Sequence, residues 1–407
     1  MRIPPARELL AQPILANPDL RRLTALRVAD ALGKGIFVSG SVIYFTLATG
    51  LSATQVSLGV SASGLAGFAA SLLLGPVSDR IGARRLTRIL LLLQAIGFAL
   101  YPLVRTVPAF FALIVVLGFL EYGRGPASSA LVGSLVLPDE RVRVRAMLRT
   151  VFNIGFSAGS GIAALAVLDR TLLNGIPLAT AVLLLVAIIP VSRLPVDSSR
   201  KPAPEGFRRF SAIRDLRFVS VVGLSALLAT HVTIVLVTLP LWALNRTTVP
   251  AFLIPLFLIA NTVFVTLFQV RASKGADTLA GAGRLAGRSG WWLATGCAVA
   301  AVSAVTANAA LTTVVLVAAM LLFSVAEVMQ SASAWGMAYE LAPQHAQAEY
   351  LGTFDLHVIT QNIIGPALVS GLVLGLGGWG WLVLAAMTIG SSLVIAPAAV
   401  RSAKALT

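Results

Sequence analysis

The chain has 407 residues, 57% hydrophobic and only 12% charged, with a formal net charge of +15 and a mean hydropathy of +0.89. A soluble globular protein carries roughly 25% charged residues, so this composition excludes a cytosolic enzyme, a nucleic-acid binder and a disordered chain. The basic residues lie in short segments between long apolar runs rather than on one patch, as in the loops of a polytopic membrane protein.

Residues 1–27, with Pro4, Pro5, Pro13 and Pro18, read as a polar cytoplasmic segment without a signal peptide. Twelve apolar runs then approach the ~20 residues that a spanning helix needs. The first six are Arg27–Leu47, Ala53–Leu74, Leu86–Val104, Pro108–Leu135, Met147–Leu168 and Ile176–Val191. The second six are Phe218–Leu241, Ala251–Val270, Trp291–Thr306, Leu311–Tyr339, Tyr350–Leu376 and Trp379–Val400. They are too long and too evenly apolar for alternating barrel strands. The expected fold is therefore an all-α membrane protein of two six-helix bundles, residues 28–192 and 218–400. A cytoplasmic linker (193–217) joins them and a short tail (401–407) follows.

Orientation follows from Lys and Arg. With the N-terminus inside, 26 of the 31 fall on inner segments and three on outer loops (Arg105, Arg170, Arg246), while Lys34 and Arg124 lie within spans. Both termini are expected in the cytoplasm. A short amphipathic piece near Phe207–Phe218 is expected to lie on the anionic inner leaflet. The single cysteine, Cys297, sits inside an apolar run, and no metal or nucleotide motif is present.

The two halves carry traces of a repeat. Glu121 and Glu327 are 206 positions apart, as are Gly159 and Gly365, and each glutamate is followed by a proline-opened polar loop at Pro138 or Pro343. A duplicated six-helix unit is the transporter form of such symmetry.

The loop after the second span reads Gly75-Pro76-Val77-Ser78-Asp79-Arg80-Ile81-Gly82-Ala83-Arg84-Arg85. It resembles the helix 2–3 loop signature of the major facilitator superfamily, G-x-x-x-D-R-x-G-R-R, with Ala83 at the first terminal basic position. The resemblance implies a cytoplasmic gate of Gly75, Asp79, Arg80, Gly82, Arg84 and Arg85, with Asp355 near the start of span 11 meeting its arginine. Within the family the chain resembles bacterial 12-helix drug:proton antiporters, although other signatures are partial. In Gly155-Phe156-Ser157-Ala158-Gly159-Ser160, Ser160 stands where the antiporter pattern has proline, and Phe119 stands where the span 4 pattern has arginine. Gly155 and Gly159 read as small-residue helix packing, with Gly365 and Pro366 in span 11. Gly155–Gly159 also fits G-x-S-x-G, but a hydrolase elbow needs a strand–turn–helix setting. No catalytic residues and no enzyme activity are expected.

Charges at membrane depth cost roughly 2.5–3.5 kcal/mol each on insertion scales, so each calls for a role or a partner. Asp30 and Lys34 are four apart on one helical face, and Glu121 and Arg124 three apart. Each pair can neutralise itself. Glu327 differs, because Leu311–Tyr339 contains no Lys or Arg. It is the leading candidate for proton coupling, with Glu121, Arg124, Asp30 and His231 as further candidates for proton or substrate binding. The resulting expectation is proton-coupled efflux of hydrophobic or amphipathic small molecules, as in multidrug antiport, by a monomer in a bacterial cytoplasmic membrane. A proton gradient and lipids would be its only auxiliaries, with no cofactor and no nucleic-acid partner. The alternatives are an importer or facilitator of a sugar, nucleoside or organic acid, and a non-transporting receptor.

Overall fold

The computed structural model describes residues 17–48, 53–104, 106–166, 169–195, 210–250 and 253–406. Among these there is no strand. The expected N-terminal tail to residue 16, most of the linker and Arg105 lie outside the described residues.

Twelve long helical segments follow in order: α1 Pro18–Ala48, α2 Ala53–Ile81, α3 Ala83–Leu100, α4 Val107–Leu135, α5 Arg141–Ala166, α6 Arg170–Ser192, α7 Leu216–Arg246, α8 Ile254–Ala272, α9 Leu279–Val302, α10 Ala309–Glu340, α11 Gln347–Leu376 and α12 Gly378–Leu406. Eight of them include a stretch long and apolar enough to cross a membrane on composition alone. The others are diluted by charge or are shorter; α9, for example, carries Arg284 and Arg288 in its first three turns. Large apolar side chains such as Leu65, Leu165, Leu267, Leu368 and Leu393 are more than 60% exposed. In water they would form aggregation patches; in a bilayer they face lipid.

The helices outrun the apolar runs. α1 begins at Pro18, not near residue 27, because Asn17 caps it, its Oδ1 accepting from the Asp19 and Leu20 amides. α9 begins at Leu279, where Thr278 Oγ1 accepts from Gly281 N. α12 continues to Leu406, through the region expected to be a tail. Hydropathy marks the lipid-facing length, whereas caps set the helical length.

The chain divides into two units. The first comprises Met1–Val136, Met147–Arg209 and Gln344–Gly352; the second comprises Leu137–Ala146, Phe210–Pro343 and Thr353–Thr407. Each unit takes in a short strap from the other half of the sequence. The straps are repeat-related: each begins with a 3-10 turn, Pro138–Glu140 or Gln344–Ala346, and the helices behind them start at Arg141 and Gln347, again 206 positions apart.

In the first unit, Phe37, Phe45, Tyr101 and Phe110 pack edge-to-face or stacked with centroids 4.8–6.1 Å apart. α5 lies close on α1. A Cβ on Gly155 would come 2.8 Å from Ala31 Cβ, and one on Gly159 would come 2.9 Å from Ile36 N. In the second unit, Trp242, Phe323 and Trp381 anchor a core cluster, and Trp242 Nε1 donates to Ser303 Oγ at 2.8 Å.

α7 is broken. After Leu228 the helix loosens, and Ile234–Thr238 winds as a π-helix before Leu239–Arg246 resumes. Thr230 N–H bonds to Leu227 O and Val232 N–H to Ala229 O, so the Ala226 and Leu228 carbonyls need other donors. Gln361 Nε2 of α11 supplies one at 2.8 Å, and His231 Nδ1 the other at 3.1 Å. Thr230, His231 and Thr233 fall together here, and such side chains compete with the helix ladder for backbone groups. Bulges of this kind recur at functional sites.

Candidate functional site

In the first unit, α1, α3 and α4 bring the expected charged residues into one network. Arg124 Nη2 donates to Asp30 Oδ1 at 2.6 Å and to Glu121 Oε2 at 2.5 Å. Lys34 Nζ reaches Glu121 Oε1 at 2.6 Å, Gln94 Nε2 donates to Glu121 Oε2 at 2.9 Å, and Arg27 Nη1 lies 3.3 Å from Asp30 Oδ2. The expected Glu121–Arg124 pair forms along α4, and two contacts cross between helices, Lys34 to Glu121 and Arg124 to Asp30; Lys34 hydrogen-bonds to Glu121 rather than to Asp30, its expected partner along α1. Lys34 extends to α4, and Arg124 bridges both acids. Arg27 and Lys34 also sit over the Phe152 ring, 4.4 and 5.9 Å from its centroid.

Two atoms of this network lack a hydrogen-bond partner among the described residues, Arg124 Nε and Gln94 Oε1, although both are buried. Buried polar atoms are satisfied in the great majority of cases, and these two are exceptions among the described residues. The Lys34 and Glu121 side chains remain 40% and 26% exposed. Sequence reading missed Gln94. Its signal was a lone amide ending the run Leu90–Leu93.

In the second unit, Glu327 is 8% exposed. At 1.5 Å per residue it sits about 27 Å from the start of α10 and about 20 Å from its end. Asn261 Nδ2 of α8 donates to its Oε2 at 3.1 Å, and Ser324 Oγ donates to Asn261 Oδ1 at 3.1 Å. His231 is buried, and its Nδ1 donates to a main-chain carbonyl. His357 does the same with Phe354 O at 2.6 Å, and Thr233, Gln361 and Gly365 complete the contact between α7 and α11. Pro366 lies within α11. Phe45 and Tyr44 are buried in the aromatic core rather than lining a cavity.

The gate residues split. Asp79 caps α11 directly, its Oδ1 accepting from Ala348 N at 2.9 Å and its Oδ2 from Glu349 N at 2.8 Å. Gly75 permits the approach, since a Cβ there would stand 2.8 Å from Glu349 Cα. Gly82 holds φ +91° at the turn into α3, and Arg84 Nη2 donates to Ser192 O at 2.7 Å. Arg80 and Arg85 are exposed. Asp355 lies in the second unit, near the strap Leu137–Ala146. Arg145 of α5 is a charged neighbour there. The strap carrying Arg145 brings Arg141 over the Tyr339 ring at 5.7 Å and Arg145 over Trp335 at 5.5 Å. Beside it, burial and the nearby Asp139 push the Asp277 carboxyl above its usual range. Replacing Asp79 with Ala removes a helix cap of typically 0.5–2 kcal/mol. Exchange of the Ala348 and Glu349 amides is then expected to accelerate about 2–30-fold; unchanged protection by mass spectrometry would show that the cap holds nothing.

Gly155–Gly159 lies within α5, so no strand–helix elbow forms around Ser157. No cluster of three or more metal-ligating side chains occurs among the described residues.

Comparison with known proteins agrees with this architecture. The Major Facilitator Superfamily family model matches residues 23–358. The putative niacin/nicotinamide transporter NiaP of Bacillus subtilis (strain 168) is 34% identical over 92 residues, a match spanning 23% of each protein. Among solved structures, an outward-facing bacterial homologue of the iron transporter ferroportin superposes with TM-score 0.74 at 15% identity, covering 95% of this chain and 99% of that one. The proton:xylose symporter XylE, bound to 6-bromo-6-deoxy-D-glucose, gives 0.65 at 14% identity, covering 92% and 94%. With the gate loop, the repeat and the twelve-helix order already in view, the chain belongs to the major facilitator superfamily.

Proposed function

We propose that this membrane transporter is a proton-coupled antiporter that exports small amphipathic organic molecules across a bacterial cytoplasmic membrane, with both termini inside. The observation that carries the reading is Glu327, a carboxyl almost fully buried halfway along α10 and held by the Asn261 amide. Intramembrane acids of this kind serve proton relays. As alternating access exposes the group to one side and then the other, it gains and loses H⁺. The charge network of the first unit has a different part: its two acids lie against three bases, Arg27, Lys34 and Arg124, and the Arg124 and Gln94 groups left without a partner offer hydrogen bonds to a solute.

A second reading, proton-linked uptake of a small organic acid, is favoured by the stretch shared with NiaP and by the Arg124 donor left open in the first unit. Proteoliposomes with an imposed pH difference separate the two by sign. Antiport accumulates a quaternary ammonium probe in the acid compartment, to about tenfold per pH unit for one-for-one exchange. Symport accumulates nicotinate in the alkaline compartment beyond the level in protein-free vesicles. Flux indifferent to the gradient for every probe would remove proton coupling altogether.

A further inference from the structure

At one end of the second unit, α7 and α12 flank an open cleft of about 410 Å³ that transport does not explain. Leu216, Arg217 and Ser220 line it from α7, and Ala398, Arg401 and Lys404 from α12. Three of the six are cations and none is an acid. The nearest acid in sequence, Asp215, is engaged in capping α7, its Oδ1 accepting from Arg217 N at 3.0 Å and Phe218 N at 3.2 Å. The volume lies within the ~300–1,000 Å³ of small-ligand sites. Its chemistry suits an anion with several acceptor oxygens, which guanidinium groups hold by paired hydrogen bonds.

The surroundings say which anion. Leu216 is 79% exposed at the rim, and on α12 Leu393, Val394 and Val400 are 62%, 48% and 43% exposed. Leu393 lies eight residues before Arg401, about 12 Å along the helix. An apolar stripe of that length running away from a basic cup fits a molecule with a charged head and hydrocarbon tails. The short helix Ser211–Arg214, just before α7, adds Ile213, 40% exposed, and exposed Arg214. It is the described part of the amphipathic piece expected from the sequence to lie on the inner leaflet. We infer that this cleft binds the phosphate headgroup of an anionic phospholipid of the cytoplasmic leaflet, with the acyl chains along the exposed face of α12.

The test uses the full chain, purified and delipidated in detergent, with native mass spectrometry of bound lipid. Phosphatidylglycerol is expected to be retained over phosphatidylcholine of equal chain length, with retention falling as salt is raised. Neutralising two of the cations, in Arg217→Gln/Arg401→Gln, is expected to weaken retention about 25-fold, from roughly fivefold per basic residue near an anionic surface. Should that variant misfold, Lys404→Gln at the exposed end of α12 tests one cation alone and is expected to lose about fivefold. Equal retention of the two lipids, or undiminished retention by the variants, would overturn the site. Displacement of the lipid by soluble glycerol 1-phosphate at equal concentration would assign the cleft to a soluble phosphate ester instead.

Discussion

Replacing Glu327 with Gln should reduce gradient-driven accumulation from about tenfold per pH unit to about one, while exchange of unlabelled for labelled solute persists. The substitution keeps a carbonyl oxygen able to accept from Asn261 Nδ2, so the packing of α8 on α10 survives. What it removes is the capacity to take up and release a proton. The measurement is accumulation against counterflow in the same vesicles. Accumulation that stays near tenfold would take Glu327 out of the coupling cycle, whereas loss of both activities would point to a structural part for the carboxyl.

The other large effect is expected at Arg124. It is 7% exposed, and its Nη2 is shared between Asp30 and Glu121. Arg124→Leu removes the cation shared by the two acids, leaving Glu121 with Lys34 and Asp30 with only the longer Arg27 contact, and breaking one partner of a buried ion pair costs about 3–5 kcal/mol. A fall in the thermal midpoint in detergent is therefore expected. Removing Asp30 as well, in Arg124→Leu/Asp30→Leu, leaves the contact between Lys34 and Glu121 intact and should recover most of the loss, because a buried pair replaced by apolar groups is often near neutral. A double variant as unstable as the single one would show that Arg124 supports the fold by packing, independently of charge.

These residues also show what the sequence could and could not reveal. Spacing placed Asp30 with Lys34 and Glu121 with Arg124 on shared helical faces, because a helix repeats every 3.6 residues. It could not show that Lys34 would extend to Glu121, or that Gln94 would join them from α3, because those contacts depend on how helices cross. Gly75 and Asp79 were legible as a tight, polar turn. Their actual neighbours, the Ala348 and Glu349 amides, lie some 270 positions away. Arg145 comes to Asp355 through a strap whose destination no local pattern records. The break in α7 was hidden for a similar reason. Pro240 lies beyond the break, and the polar residues that replace the lost ladder bonds include Gln361, far along the chain.

The straps bear on how such a protein can be dissected. Leu137–Ala146 is encoded with the first six helices yet sits in the second unit, and Gln344–Gly352 does the reverse. A chain severed between α6 and α7 would therefore give two fragments, each short of a piece that the other holds. Neither fragment is self-sufficient at the end where its strap belongs, so the halves behave as complementary partners rather than as beads on a string.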